Sequence, residues 1–185
     1  MLNGISFKLK DHRVDKILRK EGYQLAECEI FYSPIQSTLN YLALGFLMLL
    51  PLSIFLLIKI DMYWHYFCIY FLLGYVICGY LNNTFVLTTD KLLVINPNFP
   101  FTRIVTYELN QIEDTEIYRS LLLQGICWIF FQSGNYVTIT IGGDRFRYYC
   151  GSLCVDTFDE DITEKTMDDF HYALKERNIS VQFRL

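Results

Sequence analysis

The sequence predicts an α+β membrane protein: a two-helix transmembrane hairpin, then a small antiparallel β-sandwich or barrel closed by a C-terminal helix. Three observations carry that expectation. Two uncharged apolar runs, Leu39 to Ile58 and Tyr66 to Leu81, flank a short polar stretch. Downstream, β-branched and aromatic runs recur at even spacing with turn residues between them. Near the end, Met167, Phe170 and Leu174 lie three and four apart, as one face of a helix requires.

The first apolar run has roughly 20 residues, and at about 1.5 Å of rise each it reaches about 30 Å, the hydrocarbon thickness of a bilayer. Adding Tyr63 and Trp64 to the second run brings it to a similar length, with Lys59 to Trp64 expected as a tight turn. Tyr41, Tyr63, Trp64, Tyr66 and Tyr80 stand where aromatic rings anchor a helix at the headgroup level. Pro51 should bend the first helix, with Ser53 helping to satisfy the freed carbonyl. Lys8, Lys10, Arg13, Lys16, Arg19 and Lys20 precede the hairpin and only Lys59 marks its turn, so both termini are expected on the cytoplasmic side of a bacterial inner membrane. The domain division that follows is an N-terminal segment over 1–38, the hairpin over 39–81 and the β domain over 82–185.

Within the first segment, Val14, Ile17 and Leu18 share a helical face opposite Arg13, Lys16, Arg19 and Lys20, and Gly22 supplies a stop. Such a helix lies either on anionic headgroups or packed on the β domain; the acidic residues mixed into its polar face favour packing. Tyr23 to Phe31 is compatible with a strand, and Ser33 with Pro34 with the start of the membrane helix. After the hairpin, Thr84 to Thr88 and Leu92 to Asn96 are expected to pair around Thr89, Asp90 and Lys91. The turn cluster Asn96 to Pro100 leads to further strands at Thr102 to Leu109, Ile112 to Tyr118, Ile126 to Gln132, Tyr136 to Ile141 and Arg145 to Cys150. The last helix runs from a Thr163 cap to Arg177.

Composition narrows the function classes. The chain of 185 residues carries a net charge of -4 and a pI near 5.3, which opposes a nucleic-acid binder, because phosphate contacts need a basic stripe. Cys68 and Cys78 lie in the second apolar run and Cys28, Cys127, Cys150 and Cys154 in segments assigned to a reducing compartment, so free thiols are expected. No motif for a nucleophile, metal or phosphate loop emerges around His12, His65 or His171. The acidic run Asp156, Asp159, Glu160 and Asp161 lacks calcium-loop spacing. No cofactor, metal or catalytic residue is therefore expected. Arg145 and Arg147 share one face of a strand, and together with Lys91 and Arg103 they are the candidate contacts for a lipid headgroup or a protein partner.

The segments NTFVLTTDKLLVINP and FTRIVTYELNQIEDTEI, a strand pair turning at Thr-Asp-Lys and then a strand entering an "ELNQI" step, resemble the opening of the pleckstrin-homology-like domain of bacterial membrane proteins. The likeness covers Asn83 to Arg177, while the Asn96 to Pro100 turn and the Cys150 to Cys154 region depart from the family's pattern. The resemblance implies a cytoplasmic sandwich tethered to the inner membrane, with no enzyme activity and no particular ligand. The expected role is a non-enzymatic membrane-anchored adaptor, its partners being the bilayer, a protein and, in an oligomer, a second copy. The alternative is a small immunity or inhibitor protein that neutralises a toxin.

Overall fold

Segments rich in Val, Ile, Thr and aromatic residues favour the pleated, half-buried surface of a sheet, and here they build two sheets of four strands. The computed structural model of the chain describes residues 12–31, 60–120, 135–150 and 167–184. The first sheet, in the order β1-β2-β3-β4, holds Glu29–Phe31, Thr84–Leu87, Lys91–Asn96 and Arg103–Glu108, all antiparallel. The second, in the order β7-β6-β5-β8, holds Asp144–Tyr149, Asn135–Ile141, Asp114–Arg119 and Val181–Arg184. Strand β8 runs parallel to β5, so the second sheet is mixed and departs from the antiparallel expectation. The expected strand at Ile126 to Gln132 lies outside the described residues.

Strands β2 and β3 are buried on both faces, which explains their unbroken apolar sequences TFVL and KLLVIN. On the inner face, Phe85, Leu87, Leu92 and Val94 meet Ile117, Val137 and Ile139 of the second sheet. On the outer face, Val86, Leu93 and Ile95 are covered by helix α1, His12–Lys20, through the fully buried Val14 and Leu18. The apolar stripe of α1 is thus spent on protein. The helix stops at Gly22, where φ is +86° and the Tyr23 and Gly22 amides donate to the Leu18 and Arg19 carbonyls at 3.0 and 3.2 Å.

Helix α2 spans Ile60–Leu81. It begins inside the stretch expected to form a tight turn, so Ile60 to Trp64 are helical instead. Its C-terminal turn is docked on the first sheet: the Gly79 carbonyl accepts bonds from Asn96 Nδ2 at 2.9 Å and Asn98 Nδ2 at 3.4 Å, and Gly74, Gly79 and Leu81 are buried. Further toward its N-terminus Ile69, Leu72 and Leu73 are exposed. Among the described residues no helix is long and apolar enough to cross a membrane. That finding corrects the two-helix transmembrane hairpin, and with it the membrane class and the multi-pass inner-membrane placement with cytoplasmic termini. The reason is that α2 commits its last turns to protein: the Gly79 carbonyl accepts from Asn96, and the Tyr75 hydroxyl donates to the Phe99 carbonyl at 2.6 Å. The first run, Leu39 to Ile58, lies outside the described residues.

Helix α3, Met167–Glu176, closes the space between the sheets. Phe170 meets Phe31 edge-on at 5.0 Å between centroids and stacks on Phe85 at 4.8 Å. The helix ends at Asn178, at φ +59°, with the Ile179 amide donating to the Leu174 carbonyl and the Asn178 amide to that of Lys175. Arg177 then pairs with Glu29 at 3.2 Å, tying the helix end to β1, and the chain returns as β8.

Candidate functional site

The two sheets meet at a corner. An isolated bridge joins Asn82 to Cys150, and Asn83 donates to the Tyr149 carbonyl from both its backbone amide, at 3.3 Å, and its side-chain Nδ2, at 2.6 Å. The same corner receives the C-terminus of α2 and the connection from β3 to β4, which passes through a cis Phe99–Pro100 bond. These chain segments leave an open cleft of about 320 Å³.

Aromatic rings form much of its wall. Tyr80, at the end of α2, meets Phe101 edge-on at 5.7 Å and Tyr149 at 5.9 Å. Tyr148 is nearly buried and shares a hydroxyl contact with Tyr107. Burial, with that contact second, raises the Tyr107 hydroxyl well above its ordinary pKa.

Two guanidinium groups stand over the rings. Arg103, the first residue of β4, lies 5.3 Å from the centroid of Tyr148, and Arg147, near the end of β7, lies 4.5 Å from that of Tyr136. Both are exposed, both line the cleft, and no carboxylate side chain is among the described residues that line it. A chain of net charge -4 therefore carries a positive pocket. At its floor, Asn83 is 4% exposed and its Oδ1 has no hydrogen-bond partner. A buried acceptor without a donor costs about 1–3 kcal/mol, and Asn83 is one of the residues that line the cleft.

No family model, curated protein or solved structure matches the chain. The chemistry of the cleft therefore rests on its own residues.

Of the four cations expected to contact a partner, the structure brings Arg103 and Arg147 together and separates the other two. Lys91 pairs with Glu108 across β3 and β4 at 3.5 Å, a contact that raises its pKa, and it sits at the opposite end of those strands from Arg103. Arg145 pairs with Glu116 at 2.5 Å, and Arg184 shares that carboxylate at 3.4 Å. Of the rings expected as membrane anchors, Tyr80 lines the cleft, Tyr41 lies outside the described residues, and Tyr63, Trp64 and Tyr66 are described only by their place in the first turns of α2. Asn83, Phe101, Tyr148 and Tyr149 were not marked by the sequence. Phe101 follows a Pro-rich turn and Asn83 sits at a helix-to-strand junction, both positions whose neighbours are set only by folding.

Chemistry elsewhere is sparse among the described residues. His65 is exposed on α2, and His171 packs between Tyr172 and Phe183 at 5.5 and 5.4 Å, with its Nδ1 unpartnered. No group of three or more His, Cys, Asp or Glu is placed to hold a metal ion among these residues. The acidic run at Asp156 to Asp161 and Cys154 lie outside them. Cys150 is fully buried, and burial pushes its thiol pKa far above the usual range, which removes the thiolate a nucleophile needs. Iodoacetamide is expected to alkylate the exposed Cys68 in the native chain while Cys150 stays unlabelled until denaturant is added; peptide mapping by mass spectrometry reads the order. Prompt native labelling at Cys150 would show that the thiol is reachable.

Proposed function

We propose that this chain is a non-enzymatic binding module that presents the arginine-and-aromatic cleft at the sheet corner to a protein partner. The observation that carries the reading is that Arg103 and Arg147 line one cleft with the rings of Tyr80, Phe101 and Tyr149, with no carboxylate among the described residues that line it. Arginine and tyrosine dominate the energetic centres of protein interfaces because each combines a large flat contact with directed hydrogen bonds. The burial of Cys150, which keeps its thiol protonated, favours binding over turnover. Two sheets with a C-terminal helix between them are also what the pleckstrin-homology-like resemblance leads one to expect, and we propose that relationship on this ground alone. No feature of the cleft singles out a toxin as the partner.

The test is capture by crosslinking with the full chain. A partner recovered by the wild type should be lost when Arg103→Glu and Arg147→Glu are combined and retained with Arg145→Glu, whose side chain faces Glu116 instead of the cleft. Retention by the double variant, or turnover of a substrate by the purified chain, would defeat the proposal.

A further inference from the structure

We infer that the cleft is a carboxylate-binding site, and that its ligand is the free C-terminal carboxylate of a protein partner's chain. The inference rests on the binding-module reading and adds the chemistry that would be recognised. Two guanidinium groups reach the same cleft, no carboxylate is among the described residues that line it, and each guanidinium is steadied against a tyrosine ring, so its planar fork of donors is held ready for a planar acceptor. A carboxylate matches that fork with two oxygens.

The floor supplies a second requirement. Asn83 is nine-tenths buried and more, its Nδ2 is engaged by the Tyr149 carbonyl, and its Oδ1 accepts nothing. A ligand that satisfies it must bring a donor, which acetate does not. A peptide terminus does so through a backbone N–H close to its carboxylate. The third requirement is apolar: Tyr80, Phe101 and Tyr149 offer ring faces and edges to a last side chain. A volume of about 320 Å³ is at the lower limit of ordinary small-ligand pockets, which suits one terminal residue better than a long segment. Carboxylate, nearby amide hydrogen and apolar side chain occur together at a chain terminus.

The probe is N-acetylphenylalanine as its free carboxylate, titrated into the full chain with N-acetylphenylalanine amide and inorganic phosphate as parallel arms, followed by NMR. A ligand of this size should bind with Kd on the order of 1 mM. The free acid should saturably shift the side-chain resonances of Arg103, Arg147 and Asn83. The amide should bind at least about tenfold more weakly, the size of effect that follows loss of a hydrogen bond to a charged group. Arg103→Gln and Arg147→Gln should each weaken the free acid by about tenfold or more, while Lys91→Gln and Arg145→Gln, whose side chains already face carboxylates, should leave it unchanged. Dispersed spectra establish that each variant is folded.

Equal binding of acid and amide overturns the inference, as does phosphate binding more tightly than the acid at the same resonances, or no shift at Arg103 and Arg147. An acetylated peptide carrying an internal Asp and an amidated end separates the two sources of carboxylate, and tighter binding of that peptide than of the free terminus also overturns the inference. A partner captured through the cleft that ignores its own terminal carboxylate would sink this inference and leave the binding-module reading intact. Probe binding with no partner dependent on the cleft would defeat the binding-module reading, and with it the protein terminus as the ligand.

Discussion

Phe170→Ala is expected to lower the stability of the fold by about 3–5 kcal/mol, the usual loss when a buried Phe is cut to a methyl group. Phe170 is the residue through which α3 enters the space between the sheets. It is fully buried and holds two rings at once, Phe31 of β1 and Phe85 of β2, at centroid distances of 5.0 and 4.8 Å. Truncation leaves a void flanked by two phenylalanines fixed in paired strands, Phe31 opposite Phe85 in the register, so neither can move in without breaking the sheet. Thermal unfolding of the full chain should show a drop on the order of 10 °C for a chain of this size. The companion substitution is Tyr172→Ala on the same helix, whose ring is 63% exposed and whose loss should stay within about 0.5 kcal/mol. Equal melting of the two variants would mean that α3 does not seal the core.

Much of the first sheet could be read before folding was considered, because its residues carry their own signal. TFVL and KLLVIN are β-prone and flanked by Thr89 and Asp90 at one end and Pro97 at the other. YVTITI alternates, and Gly142 and Gly143 adopt the positive φ values that a tight hairpin turn demands. Strand β8 carries no such signal: VQFR is four residues long and gains its place by pairing with β5, far away in the sequence. The apolar run Tyr66 to Leu81 was legible as a helix and ambiguous in its surroundings, since a greasy helix face fits lipid and protein alike. What decides its last turn is Asn96 and Asn98 reaching the Gly79 carbonyl, a contact made by a turn that reads only as a loop.

The cleft was half legible for a similar reason. Arg103 and Arg147 stood out as cations on strand faces, but so did Lys91 and Arg145. Which cations stay free depends on how side chains reach across the sheets: Lys91 falls opposite Glu108, whereas Arg145 on β7 reaches Glu116 on β5 diagonally over β6, although the register sets Arg147, through Thr138, in the row of Glu116. Local sequence does not encode that choice. The orphaned Asn83 oxygen is still less visible, because it follows from both amides of one residue being spent on one carbonyl.

Leu18→Ala, in α1, is expected to cost about 2–5 kcal/mol, comparable to a substitution in the main core although the residue precedes the β domain by a long stretch of chain. The two middle strands of the first sheet have no solvent face. Val86, Leu93 and Ile95 point away from the second sheet, and the described residues that cover them include the fully buried Val14 and Leu18. Removing the leucine side chain reopens part of that face, and the Leu18 carbonyl already anchors the turn at Gly22 and Tyr23, so α1 has little freedom to collapse into the gap. Lys16→Ala, on the exposed side of the same helix, should change stability by no more than about 0.5 kcal/mol. A helix whose apolar stripe served a surface other than this sheet would yield matched unfolding curves for the two variants. A clear separation, with Leu18→Ala melting lower by several degrees, makes α1 a third layer of the fold, set against the outside of β2 and β3.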